Sequence, residues 1–354
     1  MNIVKTSKSR LESTDFSDLP FGRVFSDHML ICHYKEGVWQ DPEIIPYGPI
    51  SMFPGTQVLH YGQSIFEGMK VFKNTNNEIL LFREQENYKR LNESAIRLSI
   101  PEIPKDIFLN GLKELLRIDS EWCKSDDGYS LYVRPFIFAS SEWIKASSSE
   151  DFTFIIITSP TINYYPSSID LVVEQHFSRA TQGGVGFAKA AGNYAGSFYP
   201  TKLANAKGFT QVIWTDSKDH KYIEESGTMN IWFRINDILI TPALSDRILK
   251  GITRDSIIKI ASMLNIDVQE RKITVDELLE SYQKGELQEI FGSGTAVAVV
   301  AAKSITLGDK RISLPILNDP VSMRLKKILQ DYQYGRTEDV FNWTTKLDSV
   351  VNKN

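Results

Sequence analysis

Between Asp151 and Pro160 the chain reads DFTFIIITSP, a nearly continuous run of β-branched and aromatic side chains. The run falls far short of a bilayer span. It lacks the alternation of a strand with one wet face, so it predicts a strand buried on both sides. Just before it, YSLYVRPFIFAS from Tyr129 to Ser140 predicts a second strong strand. Upstream, HMLICHYKEGVW from His28 to Trp39 reads as a hairpin turning at Lys35-Glu36-Gly37. A Pro- and Gly-rich loop follows from Pro42 to Gly55, then a strand from Glu78 to Phe82.

Two helices are expected in this half. In REQENYKRLNESAIRL, Tyr88, Leu91, Ala95 and Leu98 share one face. From Pro104 to Trp122, Phe108, Leu112, Leu115 and Leu116 are in register. After Pro160, strands are expected near 169–175, 210–215, 229–241, 288–292 and 296–301, with helices between them. One helix carries the capping box Thr274-Val275-Asp276-Glu277 and ends at Gly285. Another begins at Asp319-Pro320.

Strands and helices do not alternate in a βαβ rhythm, so the fold class expected for both halves is α+β. At 354 residues the chain is too long for one ordinary core. The expected division is residues 1–160, with a flexible arm up to about Asp15, a linker at 161–168 bracketed by prolines and serines, and a larger domain at 169–354.

Composition excludes several functions. A net charge of −4 with no basic run argues against a nucleic-acid partner. Cys32 and Cys123 form no CxxC pair, and the five histidines share no ligand spacing, so no metal site is expected. The polar first twenty residues lack the apolar core of a signal peptide, and no run is long enough for a membrane helix. A cytoplasmic enzyme is the expected setting.

The most unusual segment is Gln182–Ser197, QGGVGFAKAAGNYAGS, in which Lys189 sits among glycines and alanines. Small neighbours let a flat ligand approach the backbone. Their exclusion of water favours an uncharged amine able to attack an aldehyde. A loop lysine on the surface would read the same way in isolation. The glycines are no dinucleotide fingerprint, because Lys189 falls where the third glycine belongs.

Pyridoxal phosphate requires a lysine, a partner for its ring nitrogen and an anion site. Glu224-Glu225 offers the second. Gly251-Ile252-Thr253-Arg254 at a helix start and Gly292-Ser293-Gly294-Thr295-Ala296 at a turn each offer the third, and Arg90 could clamp a phosphate. Each of these also reads as an ordinary cap, turn or solvated face.

Taken together, several motifs resemble the branched-chain aminotransferases of the fold-type IV pyridoxal-phosphate enzymes. They are Tyr61-Gly62-Gln63-Ser64-Ile65-Phe66-Glu67-Gly68-Met69-Lys70, Tyr132-Val133-Arg134-Pro135, the Lys189 segment, Glu225-Ser226-Gly227-Thr228-Met229-Asn230 and Phe291-Gly292-Ser293-Gly294-Thr295-Ala296. The resemblance runs from about Phe21 to Gly335. It implies a smaller N-terminal α+β domain and a larger C-terminal α+β pseudo-barrel. It implies pyridoxal 5'-phosphate bound to Lys189 as a Schiff base, and ping-pong transamination of leucine, isoleucine and valine with 2-oxoglutarate. By the same resemblance Glu225 matches the acid on the ring nitrogen and Tyr194 the partner of the ring hydroxyl. Arg90, Ile252, Thr253 and Thr295 match the phosphate cradle. Thr295, Ala296 and the Tyr132 hydroxyl match the α-carboxylate site. Tyr61, Phe66 and Tyr164 match the apolar pocket, and Arg134 the arginine receiving the glutamate side chain. The Tyr61 position serves the partner subunit in the family, which implies a homodimer or higher homo-oligomer. Alternatives within the fold type are D-amino acid transamination and aminodeoxychorismate lysis; outside it, a non-catalytic anion-binding module. The chain departs from some members at Phe187-Ala188 and Ala190-Ala191, and has Val297 and Val300 where others carry a CxxC pair.

Overall fold

The computed structural model describes residues 1–125, 127–162 and 168–347. The chain forms two compact units, Met1–Tyr164 with Ala188–Gly192 and Asp331–Asn354, and Tyr165–Phe187 with Asn193–Gln330. Two features depart from a simple N-terminal and C-terminal split: the short segment around Lys189 and the last stretch of chain both belong to the first unit. Most of the expected linker, 163–167, lies outside the described residues, as does Tyr164.

The first unit contains β1 (Asn2–Ile3), β2 (His28–Lys35), β3 (Val38–Trp39), β4 (Glu43–Pro46), α1 (Val58–Tyr61), β5 (Ser64–Phe66), β6 (Met69–Lys73) and β7 (Ile79–Phe82). It continues with α2 (Glu84–Arg97), α3 (Lys105–Ile118), β8 (Ser130–Ala139) and β9 (Phe152–Thr161). The second unit contains β10 (Ser168–Val173), most of α4 (Ala191–Ala206), β11 (Gln211–Thr215), β12 (Ile223–Ser226), β13 (Asn230–Ile235) and β14 (Ile238–Thr241). Then come α5 (Ile252–Met263), β15 (Val268–Glu270), α6 (Val275–Gln283), β16 (Leu287–Gly294), β17 (Ala298–Leu307), β18 (Lys310–Ser313) and α7 (Val321–Gln333). The chain returns to the first unit with β19 (Thr344–Lys346).

The sheet of the first unit runs β1-β4-β2-β9-β8-β6-β7-β19, with β3 on β2 and β5 on β8. The apolar run after Asp151 becomes β9, buried at every position but Ile157 and paired on both edges, with β2 and β8. Its neighbour β8 carries Pro135 in mid-strand, where a missing N–H would normally break a ladder. Here the partner strand changes at that point: β6 pairs with Leu131–Val133 and β5 with Phe136–Phe138. The residues between β5 and β6 are Glu67 and Gly68, and the Glu67 N–H donates to the Pro135 carbonyl. The proline therefore sits where the ladder is already interrupted, and it helps set Glu67 in place.

α2 and α3 cover this sheet. Phe108, Leu112, Leu115 and Leu116 of α3 and Leu91 and Ala95 of α2 join β2, β8 and β9 in one core. Burial of such side chains contributes roughly 1.5–3 kcal/mol each. The segment expected as a flexible arm is held at several points. β1 pairs with β4, the Thr6 N–H donates to His28 Nε2, and Ser9 and the Arg10 N–H donate to the Asp27 carboxylate.

The second sheet runs β12-β11-β10-β17-β16-β13-β14-β15, with β18 on β17. It is mixed: β10 pairs in parallel with β11 and β17, while β13, β14, β16 and β17 pair antiparallel. The single strand expected at 229–241 is instead the hairpin of β13 and β14. Asn236 and Asp237, at φ 48° and 66°, make the turn, a conformation these residue types tolerate. The capping box forms as read, with Thr274 Oγ1 accepting from the Glu277 N–H at 2.9 Å. At the start of α7 the cap comes from outside: the Glu289 carboxylate accepts from the N–H groups of Val321 and Ser322. Among the described residues no helix is long and apolar enough to cross a membrane.

Candidate active site

In the first unit the expected residues gather around Lys189. Its N–H donates to Ser94 Oγ at 2.9 Å, and its carbonyl accepts from the Phe66 N–H at 3.1 Å. Ala190 forms an isolated bridge with Ile65. The lysine main chain is thus stitched to β5 on one side and to α2 on the other. Its Nζ lies 5.0 Å from the Phe66 ring centroid, and the Arg134 guanidinium lies 4.7 Å from the same centroid. Arg134 Nη2 donates to the Tyr132 hydroxyl at 3.0 Å. Arg134 Nε is buried without a hydrogen-bond partner among the described residues. Gly68 makes room for Tyr132: a Cβ there would lie 2.0 Å from the tyrosine oxygen.

Arg90, on α2, faces Glu67. Its Nε donates to Glu67 Oε1 at 2.7 Å and its Nη2 to Oε2 at 2.9 Å. Asn87 Nδ2 and the Gly68 N–H also donate to Oε2, at 2.8 and 3.1 Å. Glu67 is fully buried. Burial alone would raise its carboxyl pKa, but the Arg90 charge and hydrogen bonds, the Lys189 charge and Asn87 together hold it below the usual carboxylate range. Tyr61 stands apart from this cluster in its own chain. It is 47% exposed, and its hydroxyl donates to the Ile144 carbonyl at 2.6 Å.

The second unit carries the remaining expected residues. Glu225, on β12, is buried; its Oε2 lies 3.0 Å from Arg179 Nε and its Oε1 accepts from the Leu249 N–H at 2.6 Å. Arg179 also donates to the carbonyls of Gly186 and Arg247, tying the acid to the glycine-rich loop. Glu224 has its own arginine, with Oε1 2.5 Å from Arg247 Nε but neither atom in a hydrogen bond. Burial pushes the Glu224 carboxyl up to about 7 against the pull of Arg247 and Arg179, helped by Asp216 and Glu225.

α5 starts at Gly251 with extended backbone and no side-chain cap, so its first turn presents N–H donors of the kind that bind anions. Ile252 and Thr253 open this turn. A Cβ on Gly251 would lie 1.9 Å from Asn230 Oδ1, which explains the glycine. Thr295 and Ala296 form the tight turn between β16 and β17 and are partly buried. Tyr194 is partly buried in the first turns of α4.

Glu67, Asn87, Ser94, Arg179 and Arg247 carried no assignment from sequence. Ser94 had a signal only in lying four positions after Arg90, and so on the same helix face. Glu67 and Arg179 find partners far away in sequence, so spacing could not reveal them. Among the described residues no group of three or more His, Cys, Asp or Glu could hold a metal ion. Cys32 and Cys123 are free and buried, and burial pushes each thiol up to about 12.

Residues 64–305 match the family described as amino-transferase class IV. The chain is 42% identical to branched-chain-amino-acid aminotransferase 2 of Bacillus subtilis, over 98% of this chain and 97% of that one. It is 41% identical to a probable branched-chain-amino-acid aminotransferase of Staphylococcus epidermidis, over 96% of each. Among solved structures, the branched-chain aminotransferase of the archaeon Thermoproteus uzoniensis with norvaline has a similar fold. Its TM-score is 0.76 at 23% identity, covering 91% of this chain and 100% of that one. The Escherichia coli branched-chain amino acid aminotransferase superposes with a TM-score of 0.71 at 25% identity, covering 91% and 99%.

Proposed function

The chain belongs to the class IV aminotransferases, and on that premise we propose that it is a branched-chain-amino-acid aminotransferase with pyridoxal 5'-phosphate as its cofactor. It transfers the amino group of L-leucine, L-isoleucine and L-valine to 2-oxoglutarate, giving branched-chain 2-oxo acids and L-glutamate in two ping-pong half-reactions.

The residues suit that cofactor. Glu225 is a buried carboxylate with an arginine beside it, fit to meet a protonated ring nitrogen. The uncapped start of α5 and a buried Thr253 suit a phosphate. In this reading Lys189 holds the cofactor covalently; Arg90, Ile252, Thr253 and Thr295 hold its phosphate; Tyr194 meets its ring hydroxyl. When bound, pyridoxal phosphate supplies the electron sink that lets the substrate α-carbon give up its proton.

Lys189 Nζ takes that α-proton and later returns one, acting as general base and then general acid. Its fixed main chain leaves the side chain as the moving part. This pinned lysine, with its amine over Phe66, is the observation that carries the reading. The Tyr132 hydroxyl with the Thr295 and Ala296 amides receives the α-carboxylate. Phe66 and Tyr61 wall the apolar side-chain pocket, to which the family resemblance alone assigns Tyr164, and Arg134 receives the second carboxylate of glutamate. Its partnerless buried Nε supports that role, because such a donor is costly unless an acceptor arrives.

The working form is a homodimer in the cytoplasm. Tyr61 supports this: its ring is exposed, its hydroxyl meets the Ile144 carbonyl, and Phe53, Leu59 and Ile144 are exposed apolar side chains too, surface suited to a second copy. The test is a panel of L- and D-amino acids with 2-oxoglutarate. Glutamate should form with L-leucine, L-isoleucine and L-valine and not with D-amino acids. Turnover of D-alanine in preference to L-leucine would contradict the substrate assignment.

A further inference from the structure

Glu67 has no assigned role in the proposed site, yet among the described residues it is the most completely satisfied buried acid in the first unit. Its two oxygens accept from Arg90 Nε and Nη2, Asn87 Nδ2 and the Gly68 N–H, all within 3.1 Å. Its main-chain N–H is fixed by the Pro135 carbonyl. Arg90 is almost as buried. A buried guanidinium without a counter-charge is strongly destabilising, and a side-on carboxylate fixes the plane of an arginine as well as its charge. The clamp uses Nε and Nη2, so it sets the direction in which Nη1 points.

We infer that Glu67 is a positioning residue: a resident counter-ion that keeps Arg90 buried and oriented before any phosphate arrives. The inference rests on the assignment of Arg90 to the cofactor phosphate. It explains why an arginine meant for a ligand anion is held by a protein anion. The carboxylate gives up part of the arginine's attraction for phosphate in return for a side chain already in place. Removing it should therefore make folding depend on an added anion, a response that loss of packing alone would not give.

The experiment uses the full chain depleted of cofactor, melted in chloride and in inorganic phosphate of equal ionic strength. Glu67→Gln places an amide N–H₂ among donors and removes the charge. It should melt about 10 °C below wild type in chloride. Inorganic phosphate should recover at least half of that loss, while moving wild type by no more than about 2 °C. The double variant Glu67→Gln/Arg90→Met, with neither charge, should lose the phosphate response. If Glu67→Gln responds to phosphate no more than wild type does, the inference is overturned. If Glu67→Gln does not fold, the double variant decides: its folding supports a counter-ion role, and its failure to fold assigns Glu67 to packing. Pyridoxal phosphate and pyridoxal form a separate arm. If inorganic phosphate restores Glu67→Gln but pyridoxal phosphate protects it no better than pyridoxal, the counter-ion role stands and the assignment of Arg90 to the cofactor falls.

Discussion

Two adjacent acids, Glu224 and Glu225, show how much a residue's role depends on its surroundings. Both are buried and each has an arginine, Arg179 for Glu225 and Arg247 for Glu224; burial is the chief cause that pushes the Glu224 carboxyl up from 4.5 to about 7. A carboxyl raised in the folded state stays protonated there while the unfolded chain ionises. Its contribution to stability is complete below about 4.5 and is lost as pH rises towards 7. Glu224→Gln, which stays neutral, should escape that loss. Its unfolding free energy relative to wild type should improve between pH 5 and pH 8, by on the order of 2 kcal/mol. Chemical denaturation at both pH values checks this, and a difference that stays constant would show that Glu224 is ionised throughout. From residues alone the choice between these two acids was open. The family resemblance chose Glu225, and the structure gives the two acids different partners, Arg179 and the Leu249 N–H for Glu225 and Arg247 for Glu224, which no spacing could carry.

Elements were more legible than residues, for reasons that can be named. The helices at Glu84–Arg97 and Lys105–Ile118 rest on local periodicity; the apolar face of the second is buried, while the first buries Leu91 and Ala95, leaves Tyr88 and Leu98 partly exposed, and buries polar residues such as Asn87, Arg90 and Ser94 beside them. The strand Phe152–Thr161 announces itself by composition. What escaped were features set by distant partners: the split of 229–241 into a hairpin, the docking of the first residues, and the cap on Val321–Gln333 supplied by Glu289. Gly251→Ala would drive a methyl into Asn230, whose amide donates to the Leu249 carbonyl. It should cost about 2 kcal/mol and weaken pyridoxal phosphate binding about tenfold or more, because the start of Ile252–Met263 must shift. Thermal melting and a cofactor titration read both effects, and unchanged cofactor affinity would remove that helix start from the phosphate site. Deleting residues 1–10 removes the pairing of Asn2–Ile3 and the bonds to His28 and Asp27. The midpoint should fall by about 5 °C with leucine turnover kept within about twofold. An unchanged midpoint would mean that the arm contributes nothing to stability.

For the whole molecule, the two-sheet α+β architecture was readable because the elements failed to alternate, and the relatives share that fold. The division into units was less readable, since the Lys189 segment and the last residues join the first unit by tertiary contacts alone. Assembly is a property at this scale too. Sedimentation should give a particle of twice the chain mass, and Phe53→Glu with Leu59→Glu should shift it to the monomer. A doubly charged variant that remains dimeric would place the interface elsewhere.

Every chemical role assigned to this chain depends on Lys189 being the side chain that bonds the cofactor. The most direct measurement is borohydride reduction of the full chain loaded with pyridoxal phosphate, followed by digestion and mass mapping of the modified peptide. The expected result is a single stoichiometric label on Lys189, absent from Lys189→Ala, whose leucine transamination is abolished. A label on any other lysine, or a reduced protein with no label, contradicts it.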